Sequence, residues 1–156
     1  MVFDGLCRKK EYIVTLEKAD IAREYNIKGK QGYVYNYLED AEISVDGMAY
    51  VVTGTVGEMW PIPEKRADAY EIIEELSQGI YKAKTKKSEL LYEYKLIPVD
   101  EQMSLEIENG SVLHVNAKAN SVDHGEGDRL IRVKGEESYW VVNGRVFEST
   151  YEIVKC

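Results

Sequence analysis

The chain has 156 residues, 44% of them hydrophobic and 31% charged, which excludes a disordered polar chain and leaves room to bury a core. Its formal net charge of −8 argues against a general nucleic-acid binder, because phosphate contacts need a basic surface. No apolar run approaches the ~20 residues that span a bilayer, and the opening MVFDGLCRKKEY does not read as a secretory signal, so the expected compartment is the cytoplasm.

Along the chain, Arg8-Lys9-Lys10 leads into a predicted strand at Tyr12–Leu16. In Lys18–Asn26, Ala19, Ala22 and Arg23 have helical spacing, which predicts a short helix. Gly32–Leu38 reads as a strand, with Tyr33, Tyr35 and Tyr37 on one face and Val34, Asn36 and Leu38 on the other. Met48–Thr53 is a strand rich in β-branched residues that ends at Gly54. The stretch GTVGEMWPIP (54–63) poses a choice between a phosphate-cradling loop and a hairpin. A phosphate loop needs a helix and a Lys-Ser/Thr pair after its glycines. Here the extended run Glu58–Ile62 follows, so the glycines are read as shaping a hairpin and Trp60 as a core anchor. PEKRADAY then suggests a turn or short helix, and YEII a strand; the rival reading is one helix over 64–76 after Pro63. Gln78–Ser88 holds four lysines and reads as a solvated connector or a charge-protected edge strand.

In the second half, strands are predicted at Leu90–Ile97, Ser111–Lys118, Arg129–Lys134 and Tyr139–Val142. NGRVFESTY is read as a turn or short helix, and YEIV as a strand. Between the predicted strands Ser111–Lys118 and Arg129–Lys134, Asp123, Glu126 and Asp128 cluster with His124. Their spacing matches neither an EF-hand nor a zinc site, so a polar turn is expected and no metal.

The two halves resemble each other. At an offset of 81 positions, Val52 meets Val133, Gly54 meets Gly135, and Tyr70-Glu71-Ile72 meets Tyr151-Glu152-Ile153. Trp60 and Trp140 fall one place out of register. Gly32-Tyr-Val aligns with Gly110-Ser-Val, and Lys9-Lys10 with Lys86-Lys87. These matches imply an internal duplication with units at 1–78 and 79–156. The expected fold is α+β and β-rich: two related small twisted sheets or partly open barrels with short helices, forming a pseudo-dimer or merged into one domain.

The segments GMAYVVTGTVGEMWPIP…AYEII and GDRLIRVKGEESYWVV…VFESTYEIV resemble the PGDYG family. These are small domains of phage, prophage and bacterial proteins with the pattern Gly-Asp-aromatic, strand, Gly-x-x-Gly-Glu, aromatic-rich strand, Phe-x-x-Thr-Tyr-Glu. The first copy departs from it with Asp46-Gly47 and with Ala67 to Ala69; the second keeps Gly127-Asp128 and Phe147–Glu152 but has Ser138 at the second glycine. The resemblance implies a phage-like origin and a β-rich module, and no reaction.

Twelve tyrosines against two phenylalanines draw attention to Tyr33, Tyr35 and Tyr37 as candidate ligand- or partner-binding residues, since a phenol offers both a ring face and a hydroxyl. The places aligned with them hold Ser111, Leu113 and Val115, so the stripe is private to the first copy. Catalytic signals are missing: there is no GxSxG elbow, and Cys7 and Cys156 give no Cys-His-acid arrangement. No catalytic residue and no cofactor is assigned. The expected function is non-enzymatic binding by a phage or mobile-element protein, acting on a host protein or sequestering a small nucleotide-like ligand. No direct nucleic-acid or membrane contact is expected, and homo-oligomers are compatible. The alternatives are a small hydrolase or transferase using carboxylates between the copies, and a virion structural or assembly component.

Overall fold

The computed structural model describes residues 1–107, 110–117 and 122–155. In chain order the elements are β1 (Gly5–Lys9), β2 (Ile13–Lys18), β3 (Tyr33–Asn36), β4 (Ala41–Ser44), β5 (Tyr50–Thr53), β6 (Met59–Ile62), α1 (Glu64–Ala67), β7 (Tyr70–Ser77), β8 (Ile80–Thr85), β9 (Tyr92–Leu96), β10 (Met103–Glu106), β11 (Val112–Val115), β12 (Arg129–Val133), β13 (Tyr139–Val142), α2 (Gly144–Thr150) and β14 (Tyr151–Val154). The chain is β-rich, 46% strand and 7% helix, with two five-stranded antiparallel sheets that do not close into barrels. No helix among the described residues is long and apolar enough to cross a membrane.

The contacts divide the chain into two units, Glu11–Lys86 and Met1–Lys10 with Lys87–Cys156. In unit Glu11–Lys86 the sheet runs β6-β5-β2-β8-β7, with the β3–β4 hairpin as a separate ribbon. Alternation decides which side chains face which way. Val52 joins Val14, Leu16, Ile62 and Ala83 on one face, packed by Tyr12, Tyr50, Trp60, Tyr70 and Tyr81. Its neighbour Val51 points the other way, to Val34 and Val45 beneath the hairpin. The other unit repeats this logic in a sheet of order β13-β12-β9-β1-β14. There Ile131 packs with Cys7, Tyr92, Phe147 and Tyr151, while Leu130 packs with Ile97 and Val115. The Cys7 thiol is buried and, among the described residues, not in a disulfide, and burial pushes it up to about 12; Cys156 lies outside the described residues.

The boundary placed at 78/79 falls in the turn of the β7–β8 hairpin, where Gly79 has φ of +77°. β8 therefore lies in the sheet of the preceding unit, between β2 and β7, and β1 takes the matching place between β9 and β14. The edge-strand reading of the lysine-rich stretch is thus overturned: Ile80–Thr85 is an interior strand, and Lys86 and Lys87 follow it at the boundary between the units. Ala83 on that strand is fully buried, and Lys82 and Lys84, pointing the opposite way, stand across from Glu74 and Glu71.

The helix expected over Lys18–Asn26 does not form. The Asp20 side chain accepts from Ala22 N at 2.9 Å and Arg23 N donates to Asp20 O at 3.1 Å, a local turn that competes with helix propagation. Of the segment 64–76 only α1 is helical; its cap residue Pro63 makes no side-chain bond, and Tyr70 onward joins the sheet. α2 is longer because the Asn143 side chain accepts from Arg145 N and Val146 N. Three strands were not anticipated, β1, β4 and β10. Gly110 sits in the turn between β10 and β11, whereas Gly32 precedes the first strand of the β3–β4 hairpin, so the two do not match. The run expected over Ser111–Lys118 is observed as Val112–Val115, Lys118 lying outside the described residues. Across the β5–β6 ladder Val52 pairs with Trp60, and across β12–β13 Ile131 pairs with Trp140; Ile131 rather than Val133 is the counterpart of Val52.

Candidate functional site

Gly32 has φ of +75° and leaves no room for a Cβ, which would lie 2.8 Å from Ile21 O. From there β3 places Val34 and Asn36 inward, 0% and 6% exposed, and leaves Tyr33 and Tyr35 half-buried on the outer face. The Asn26 amide holds the strand, accepting from Tyr35 N at 2.8 Å and donating to Tyr35 O at 2.7 Å. Lys30 Nζ stands 4.1 Å from the centre of the Tyr33 ring and 2.7 Å from Glu42 Oε1. The Tyr35 hydroxyl donates to Asp40 Oδ1 at 2.7 Å. Tyr37 lies beyond the strand, and its hydroxyl donates to Val56 O at 2.6 Å. The three predicted tyrosines are therefore brought together on one hairpin, two on the strand and the third bent toward the β5–β6 turn.

That turn is the GTVGE stretch, and it is a hairpin. Gly54 N donates to Glu58 O at 2.8 Å and Gly57 N to Gly54 O at 3.2 Å, with Gly57 at φ of +81°. Glu58, expected beside Trp60 at the rim, is buried instead. It is 4% exposed, and its Oε1 has no hydrogen-bond partner among the described residues. That oxygen lies where a side chain on Gly54 would begin, with Trp60 Cζ3 beside it. Burial raises the carboxyl above its ordinary value, only partly offset by the backbone N–H groups of Val56 and Glu58. Burial, with Glu58 adding to it, also raises Tyr12 and pushes Tyr70 up to about 12. A perturbed buried acid among phenols is the kind of group that marks functional sites. Its sequence signal was a Glu set between a turn glycine and a core Trp, legible only once the hairpin is known.

The second unit holds two polar groupings. The acidic loop does not converge on a metal position. Asp123 accepts from Gly125 N and from Arg145 Nε, both at 2.9 Å, and these bonds hold it below its ordinary range, the backbone bond foremost. Asp128 faces His124 Nδ1 at 2.7 Å and accepts from Asn116 N at 2.9 Å and Gly144 N at 3.0 Å. The loop is a clasp between β11, β12 and α2, and no cluster of three or more metal-ligating side chains occurs among the described residues. On the β10–β11 ribbon, Ser104 Oγ and His114 Nδ1 are 3.1 Å apart, at an open cavity of about 420 Å³ lined by Gln102, Met103, Ser104, His114, Val115 and Ala117. Both residues are exposed, and no carboxylate among the described residues orients His114, the third group by which such a pair activates a nucleophile.

Together these features define a two-unit antiparallel β protein that carries an aromatic hairpin on one unit. No family model matches the chain, and no curated protein or solved structure is significantly similar to it.

Proposed function

We propose that the chain is a non-enzymatic binding protein that contacts its partner through the outer face of the β3–β4 hairpin. The observation that carries this reading is the anchoring of Tyr33, Tyr35 and Tyr37. Each is held by a local contact, to Lys30, Asp40 and Val56 respectively, while Val34 and Asn36 occupy the core. Aromatic side chains fixed before binding lose little entropy on contact, which is how tyrosine-rich recognition surfaces gain affinity. Glu39, Asp40, Glu42 and Asp46 flank them, favouring a protein partner with a basic face. The shared Tyr-Glu-Ile at 70–72 and 151–153 and the like succession of strands support an internal duplication. The PGDYG resemblance supports a phage or mobile-element source acting on a host protein in the cytoplasm.

The test is affinity capture from host lysate with the wild type, Tyr33→Ala and Tyr35→Ala, alongside thermal unfolding. The reading requires a captured protein that both variants lose while their melting temperatures stay within a few degrees of wild type. Capture that survives both substitutions, or variants that simply unfold, removes the hairpin as the contact surface. Mass spectrometry of the purified chain separates a nucleotide-like small molecule from a protein partner.

A further inference from the structure

A sheet ends at two edges, each offering a row of backbone N–H and C=O groups to another strand. The edges are β6 and β7 in unit Glu11–Lys86, and β13 and β14 in the other. They are not alike. β6 has four residues and carries Pro61, which removes a donor from the edge. β13 and β14 are also four residues each. β7 has eight, contains neither Pro nor Lys, and is exposed at every residue after Tyr70. Ile72, Ile73 and Leu76 on it are 50%, 47% and 53% exposed.

Ile73 and Leu76 are the extra residues at two register shifts against β8. Such bulges twist an edge and shorten the register over which a new strand can pair. Bulges, like Lys and Pro, are devices that blunt an edge; here the bulged residues are aliphatic and exposed, and give an incoming strand something apolar to cover. The acids decide its charge. Glu71 and Glu74 stand across from Lys84 and Lys82, which lie one strand further in on β8, and Glu75 is exposed on the same outer strand. A strand added outside β7 therefore meets glutamates with no lysine on its own side. A second copy of β7 would set glutamate rows against each other, which is unfavourable across strands. We propose that β7 is a strand-accepting edge whose occupant is a short extended segment of a protein partner, with Lys or Arg alternating with aliphatic residues.

This surface is separate from the tyrosine hairpin and does not depend on it. The full chain, isotope-labelled, is titrated with the peptide KVKVKVK and with its acidic counterpart EVEVEVE, following backbone amide shifts. The expected result is saturable shifts confined to residues 70–85 with the basic peptide, weakened at high salt, and none with the acidic one. The double substitution Glu74→Lys/Glu75→Lys should weaken the basic peptide about tenfold, as cross-strand attraction turns to repulsion, and Ile73→Lys/Leu76→Lys should abolish binding. Unfolding curves verify that both variants fold. Shifts that map elsewhere, equal response to both peptides, no response, or dimerisation of the chain through β7 would each overturn the proposal.

Discussion

Glu58 sits with one carboxylate oxygen buried and without a partner among the described residues, an arrangement that favours the neutral acid because an unpaired buried charge is costly. The sign of the pH effect follows from the raised folded value. The group's contribution to stability is full below its ordinary 4.5 and is lost as pH rises through the elevated value in the fold. Melting temperatures measured across pH 4–9 should fall with rising pH over that window, and Glu58→Gln should flatten the curve; equal slopes would show that the carboxyl is not buried in solution. Gly54 belongs to the same contact. Its neighbours leave no space for a methyl group, so Gly54→Ala should cost about 1–3 kcal/mol from overpacking against Glu58 and Trp60, read by chemical denaturation. An unchanged midpoint would mean that the turn yields freely. Tyr33 and Tyr35 were legible as sharing one face from alternation alone, and the structure decided that Val34 and Asn36 are the ones that face the core. The hydroxyl partners Asp40 and Val56 were not legible, since each depends on where a turn directs the chain.

At the scale of elements, the hairpins β5–β6 and β12–β13 could be read from β-branched runs closing on glycines and a Trp. β8 could not, because lysines at alternate positions look like a solvated edge when the acids that face them are unknown. β1 was hidden for a related reason: in GLCRK only Cys7 is fully buried, too few apolar positions to display a period of two. The two short helices differ by their caps. Asn143 provides side-chain acceptors at the start of α2 while Pro63 provides none for α1. Asn143→Ala should destabilise its unit by about 1 kcal/mol; calorimetry that finds no change would assign α2's length to packing of Phe147 on Tyr151, whose rings stack at 5.1 Å.

For the whole molecule, the sheet order makes a prediction that the repeat alone would not. A fragment spanning 11–86 contains every strand of its sheet, whereas one spanning 1–78 lacks β8, the strand between β2 and β7. The first should unfold cooperatively with dispersed amide resonances, and the second should not; if both fold equally well, β8 is dispensable to the sheet. Local signals were enough to determine a β-rich chain, paired hairpins, a turn at Gly54–Glu58 and a tyrosine face, because alternation and turn chemistry act over a few neighbouring residues. Tertiary structure alone decided that β1 and β8 complete sheets across long sequence separations, that Glu58 is buried with one oxygen lacking a partner among the described residues, and that β7 is left as the long outer edge. Those outcomes depend on which strands meet, and strand pairing is set by packing between distant segments rather than by the residues of either strand alone.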